Sequence, residues 1–98
     1  VSAASMVALA CRGIFMGSGS VIGDAIPQPS DKKTVEYVAA RFRSLAQRLF
    51  GNNATLVMVA ESMVREGKTL TADEAISIGF ARRADSLDLE YIQNVHQQ

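Results

Sequence analysis

The sequence predicts an α/β fold in which helices pack on short strands. Three observations carry that expectation. Ile14-Phe15-Met16 and Val21-Ile22 are short apolar runs bounded by glycines, which read as buried strands. Val35, Val38, Phe42, Leu45 and Leu49 recur at alternating steps of three and four, so one apolar stripe runs along a long helix. Thr71-Ala72-Asp73-Glu74 has the form of a capping box, with Thr71 as N-cap and Glu74 three residues on.

Taken in order, the first element is a helix over 4–11. Apolar residues surround it on all sides, which predicts burial rather than an amphipathic surface position. Gly13 breaks it. Gly17-Ser18-Gly19-Ser20 is a turn between the two short strands. Residues 24–32 form a flexible loop, because Pro27 and Pro29 block regular hydrogen bonding and push the residues before them toward extended geometry. Ser30 or Asp31 then caps the long helix, 33–50, which ends before Gly51-Asn52-Asn53. Asn53 caps a second, more apolar helix over 54–66, closed by Gly67. Met58 and Met63 in it read as core filler. Lys68-Thr69-Leu70-Thr71 is extended, the capping box opens a short helix to Ile78, and 80–84 is an edge strand. Asp85 or Ser86 caps a final helix over 87–95.

Composition excludes several functions. The chain has 98 residues, at most one small domain with a marginal core, and 48% of it is apolar. Ten basic and ten acidic residues cancel, which gives no electrostatic case for nucleic acid or an anionic membrane. The single Cys11 rules out an internal disulfide and any multi-cysteine metal site, and reads as a small core residue. No apolar run approaches the ~20 residues of a transmembrane helix, and no leader pattern is present. The Gly-Ser turn lacks a lysine at the spacing of a phosphate-binding loop.

The chemistry centres on Ser2-Ala3-Ala4-Ser5-Met6, where two serines lie in a run of small residues at the start of a helix. A serine at a helix mouth has free backbone N–H groups beside it and the positive end of the helix dipole behind them. That suits a nucleophile whose attack builds an oxyanion. A small-residue helix packed tightly against a sheet is the structural alternative.

Ala3-Ala4-Ser5-Met6, the apolar run to Cys11, and the stretch from Arg12 through Gly17-Ser18-Gly19-Ser20 to Gly23 resemble the nucleophile helix and following strand of ClpP-class serine proteases. The NfeD-type membrane-associated branch is the nearest in pattern, with signal peptide peptidase A as a cousin. Leu70-Thr71-Ala72-Asp73-Glu74-Ala75 through Gly79-Phe80-Ala81 resembles a signature near the end of crotonase-fold domains, which share that fold. The resemblance covers 1–86. It implies a ClpP/crotonase-like fold with parallel strands, present as its C-terminal half: a single partial protease domain with nucleophile helix and strands in 1–23, a loop in 24–32 and a helical part in 33–98. In the family, the upstream half carries a glycine-rich loop that supplies part of the oxyanion hole.

The resemblance also implies the site. Ser5 is the nucleophile, with Ser2 as the less favoured alternative. The Met6 amide is the oxyanion donor, and the segment with Gly19 and Ser20 forms the substrate groove. A serine hydroxyl needs a proton acceptor. The only histidine, His96, lies in a polar tail, which leaves a Ser-Lys dyad. The family lysine stands four residues before an aromatic and eleven before Ser-Leu-Ala-Gln. Lys33 matches both spacings, to Tyr37 and to Ser44-Leu45-Ala46-Gln47, whereas Lys32 points about 100° away on a helix. An ordinary lysine, with a pKa of about 10.4, is a poor base at pH 7. The dyad role therefore requires an apolar pocket, from the 14–16 strand, Ile26 and a partner subunit. A solvated lysine pair at a helix start is the alternative.

Implied with this are peptide or protein substrates with apolar segments, stomatin-like membrane proteins as partners, a homo-oligomer, no metal or other cofactor, and an extracytoplasmic domain whose membrane anchor lies outside these residues. One position departs from the family. Val7 stands where a glycine is usual, and a β-branched side chain there would narrow the cleft or alter helix packing. Two other functions stay open. A crotonase-type acyl-CoA enzyme would need acidic residues near the cleft, and no carboxylate adjoins Ser5 in the sequence. A noncatalytic assembly domain is the other.

Overall fold

The computed structural model describes residues 2–84. Eight elements follow one another: α1 (Ser2–Ala10), β1 (Phe15–Met16), β2 (Val21–Gly23), α2 (Lys32–Phe50), α3 (Ala54–Arg65), β3 (Thr69–Thr71), α4 (Ala72–Ser77) and β4 (Arg82–Arg83). The final helix expected over 87–95, its caps Asp85 or Ser86, and His96 lie outside the described residues.

The long helices start and stop where short-range chemistry directs. Asp31 caps α2, its carboxylate accepting from the Thr34 amide at 3.1 Å and the Thr34 hydroxyl at 2.7 Å. Gly51, with φ +62°, ends the helix and returns its N–H to the Gln47 carbonyl. Asn53 caps α3 through Leu56 N–H at 3.2 Å. Both bonds of the capping box are present at α4: the Glu74 N–H donates to the Thr71 hydroxyl (3.1 Å), and the Thr71 N–H to the Glu74 carboxylate (2.9 Å).

Helices α2 and α3 form a hairpin that carries most of the core. Ala39, Phe42 and Ala46 are fully buried on α2, with Val35, Val38, Leu45 and Leu49 partly buried around them. The close seam is made by alanines, since a small residue lets two helices approach. From α3, Ala60, Met63 and Val64 fill the other side, while Met58 is exposed. Phe80 closes the end of the core against Phe50, ring centroids 4.9 Å apart.

Two small sheets bring the first part of the chain onto this hairpin. β1 and β4 pair parallel, Phe15 opposite Arg82, and the Arg82 guanidinium lies over the Phe15 ring at 5.3 Å. β2 and β3 pair antiparallel, with Val21 opposite Thr71 and Gly23 opposite Thr69. The parallel arrangement thus holds for one pair and not for the other. Strands this short carry no period from which direction could be read.

Helix α1 corrects the expectation of all-round burial. Leu9 and Ser5 are buried, but Ala4, Ala10 and Cys11 are exposed, and Val7 is 63% exposed. Only one side of the helix meets the rest of the described chain. Cys11 is therefore no core residue; its thiol donates to the Val7 carbonyl at 3.3 Å.

Candidate active site

Ser5 is the one buried polar residue of the core among the described residues, at 3% exposure. Its hydroxyl is held by a single backbone unit of β2. The Oγ–H donates to the Gly23 carbonyl at 3.3 Å, and the Gly23 N–H donates to Oγ at 3.2 Å. Both bonds are at the long end of hydrogen-bond range. Helix α1 supplies the serine and β2 the partner, 18 residues apart in the sequence.

Gly23 has to be glycine. Its φ is +123°, and a Cβ there would meet the Lys68 carbonyl and stand 2.9 Å from the Thr69 Cα. Both are backbone atoms of β3 and its approach, so they cannot swing aside. The close approach holds β2 at the depth where its peptide groups reach Ser5.

The hydroxyl lies in the wall of a cavity of about 590 Å³, in the size range of small-ligand and substrate sites. Ala4, Ser5 and Ala8 of α1 form one side. Ile14 to Gly17 and Ser20 to Asp24 form the other, with Thr69 between. Most of this lining is apolar. Ser20 donates its hydroxyl to the Gly17 carbonyl at 2.6 Å, and its N–H donates to the same carbonyl at 3.1 Å. That fixes the Gly-Ser turn at the cavity edge. Gly19 lines a smaller recess of about 130 Å³, which shares Ser20 and Val21 with the larger one.

The other expected residues are placed differently. Met6 is half-buried, and α1 begins at Ser2. The Met6 amide thus falls beyond the first turn, where helical geometry directs it to the carbonyl four residues back. Ser5 is not at the mouth of its helix, contrary to the sequence reading. Lys33 is exposed in the first turn of α2 and does not line the cavity. The apolar surroundings expected for it, including Ile26, do not enclose it within the described chain. Val7 also stays out of the cavity wall, so it does not narrow the cleft. It lies two positions past Ser5, about 200° around the helix.

Asp24 was missed. It is the charged residue that lines the Ser5 cavity among the described residues, so a carboxylate does stand in this wall. Its one sequence signal is an acidic residue directly after the glycine that ends a short apolar run. Among the described residues no cluster of His, Cys, Asp or Glu is arranged to hold a metal ion. No helix among them is long and apolar enough to cross a membrane.

The fold recurs in solved structures. Two solved structures of the 1510-N membrane-bound stomatin-specific protease superpose on the chain. One is a lysine-to-alanine variant in complex with a substrate peptide, with a TM-score of 0.68 and 27% identity over 81% of this chain. The other is a serine-to-alanine variant, with a TM-score of 0.69 and 28% identity over 85% of this chain. The fold is that of the NfeD-type, ClpP-class proteases. The chain spans 39% and 45% of the length of those two solved chains. No protein-family model and no curated protein sequence matches it.

Proposed function

We propose that this chain is part of a serine endopeptidase with a Ser5/Lys33 dyad, which cleaves apolar segments of membrane-associated proteins. The carrying observation is Ser5: a buried serine hydroxyl in the wall of a cavity of about 590 Å³, in a fold shared with a protease. In the reaction, Ser5 Oγ attacks the scissile carbonyl. Lys33 takes its proton and returns it to the leaving amine, and water then releases the acyl group. The Met6 amide is the proposed oxyanion donor, and Gly19 and Ser20 border the substrate groove.

The observed contacts define what has to change before attack. Ser5 donates to the Gly23 carbonyl, which is no base. Its hydroxyl must leave that acceptor for the Lys33 amine, and the Met6 N–H must leave the helical ladder. Lys33 needs enclosure by further protein, from another segment or a second copy of the chain. The neighbouring structures support the roles of the two residue types, since one carries an altered serine and the other an altered lysine. The serine and lysine stand farther apart in that sequence than Ser5 and Lys33 do here. A stomatin-like partner, a membrane setting and a homo-oligomer belong to the same proposal.

The test is cleavage of an apolar fluorogenic peptide by the intact protein, its Ser5→Ala and its Lys33→Ala variants, from pH 6 to 10. Loss of cleavage in both, with fold and assembly unchanged, supports the dyad. The rising limb of the pH profile then reports the base. An inert wild type, or a Ser5→Ala variant that cleaves equally well, overturns the dyad in favour of a noncatalytic assembly domain.

A further inference from the structure

Asp24 is held in place and left without a partner. Its φ is +50°, a left-handed conformation that few non-glycine residues adopt. The conformation is imposed from both sides. The Asp24 N–H donates to the Lys68 carbonyl at 3.0 Å, and the next amide, Ala25, donates to the Met63 carbonyl at 2.9 Å. Gly23 before it is paired with Thr69. A backbone outlier over-determined by its surroundings is a place to look for function.

The carboxylate has no hydrogen bond or ion pair within the described residues, a state it shares there only with the exposed Glu66. Glu36, Glu61 and Asp73 hold arginines, while Asp31 and Glu74 hold helix caps. Asp24 is exposed and lines the Ser5 cavity, which places it at the rim. It follows directly after the residue whose peptide group binds Ser5. The wall beside it is uncharged and largely apolar, with Phe15, Met16 and Ile22. Low-dielectric walls focus the field of a single charge. Such a wall also fits the aliphatic stem of a lysine or arginine whose cationic end reaches the rim.

We propose that Asp24 sets substrate specificity: the site takes an apolar peptide that carries one lysine or arginine beside the scissile bond. This rests on the protease reading above. The cationic side chain lays its stem on Phe15 and Ile22 and pairs with Asp24, which fixes the register of the peptide against Ser5.

The experiment uses the intact protein and pairs of fluorogenic apolar peptides. Within a pair, one position near the scissile bond holds lysine or its uncharged isostere norleucine. The wild type is expected to favour the lysine peptide about fivefold in kcat/KM at one position, as for a partly screened charge pair. The preference should shrink in high salt. Asp24→Asn, which tolerates the left-handed backbone, should bring the ratio near one, and Asp24→Lys should reverse it. Thermal melts check the fold, with Asp24→Gly as the fallback variant. Equal cleavage of both peptides at every position by wild type, or a ratio retained in Asp24→Asn, overturns the proposal and leaves the protease intact. If wild type cleaves neither peptide, the protease reading fails, and fluorescence anisotropy decides on Asp24. A lysine preference in binding that Asp24→Asn abolishes sustains the recognition role, and equal binding rejects it.

Discussion

Helices α2 and α3 bury a seam of alanines, Phe42 and Met63 between them and turn arginines and glutamates to solvent. The region around Ser5 reverses that order. It buries a serine, leaves Val7 and Val21 exposed, and places an unpaired carboxylate at the rim of an apolar cavity. In the hairpin the caps, the α2 stripe and the buried seam agree, and the exposed Met58 is the exception to its expected place in the core. The Ser5 region breaks several local rules at once, and such breaks concentrate at functional sites. The difference separates a scaffold from a site, and it can be tested from both sides.

The largest effect should come from the scaffold. Phe42→Ala removes a fully buried ring from the helix seam. It is expected to cost about 3–5 kcal/mol, enough to unfold a small marginal domain. Urea titration of the intact protein reads it. A loss below about 1 kcal/mol would mean that the hairpin is not the stabilising half.

Gly23→Ala comes next and strikes both regions. The added Cβ collides with backbone at Lys68 and Thr69, and φ +123° is strained for alanine. A loss of about 2–4 kcal/mol is expected from strain and overpacking. Because Gly23 holds Ser5, cleavage should fall further than stability alone explains. Gly17→Ala is the control, since nothing lies within 4 Å of its Cβ position. Equal behaviour of the two variants would break the account of Ser5 positioning.

Much of the scaffold was legible in the sequence because its determinants are short-range. Asp31, Asn53 and the Thr71/Glu74 box each act within three residues, and the α2 stripe repeats over about four turns. Element ends accordingly fall within about two residues of expectation. The site was less legible. Ser5 could be picked out, but its depth within α1 depends on where that helix starts. An all-apolar run has no periodicity to show which side faces the core, so the exposure of Val7 and Cys11 was invisible. Asp24 reaches the cavity wall only through the antiparallel β2–β3 pairing and the close approach of Gly23 to Lys68. Those contacts span more than 40 residues of sequence, beyond any local pattern.

Val7→Gly sharpens the boundary between the two regions at smaller scale. Val7 is exposed and outside the cavity wall, so restoring the family glycine should only loosen α1, by about 0.5 kcal/mol. Cleavage should stay within roughly twofold, the scale of a surface substitution. A large rise in cleavage would place Val7 against the substrate and return it to the site.

The smallest effect concerns the charged outer face of the hairpin. Arg65 binds Glu36 through two nitrogens, at 2.9 and 3.0 Å, and Glu61 at 3.2 Å. The Arg65 guanidinium holds the Glu36 carboxyl below the usual carboxylate range, and Thr34 does the same for Asp31 at the helix cap. A carboxylate depressed in the folded state adds stability that is complete above its unfolded pKa, about 4.3 for glutamate and 3.9 for aspartate. That stability disappears as pH falls through the folded value. Arg65 is shifted upward and stays charged throughout this range. Melting temperatures of wild type and Glu36→Gln should therefore differ slightly at pH 7 and converge below about pH 4. The difference at pH 7 should also narrow in high salt, because Glu36 and Arg65 are both solvent-exposed. A gap that persists at pH 3 would show that Glu36 acts through packing of its stem. The outer face would then obey the same close-packing logic as the seam beneath it, and the scaffold's stability would owe nothing to its charges.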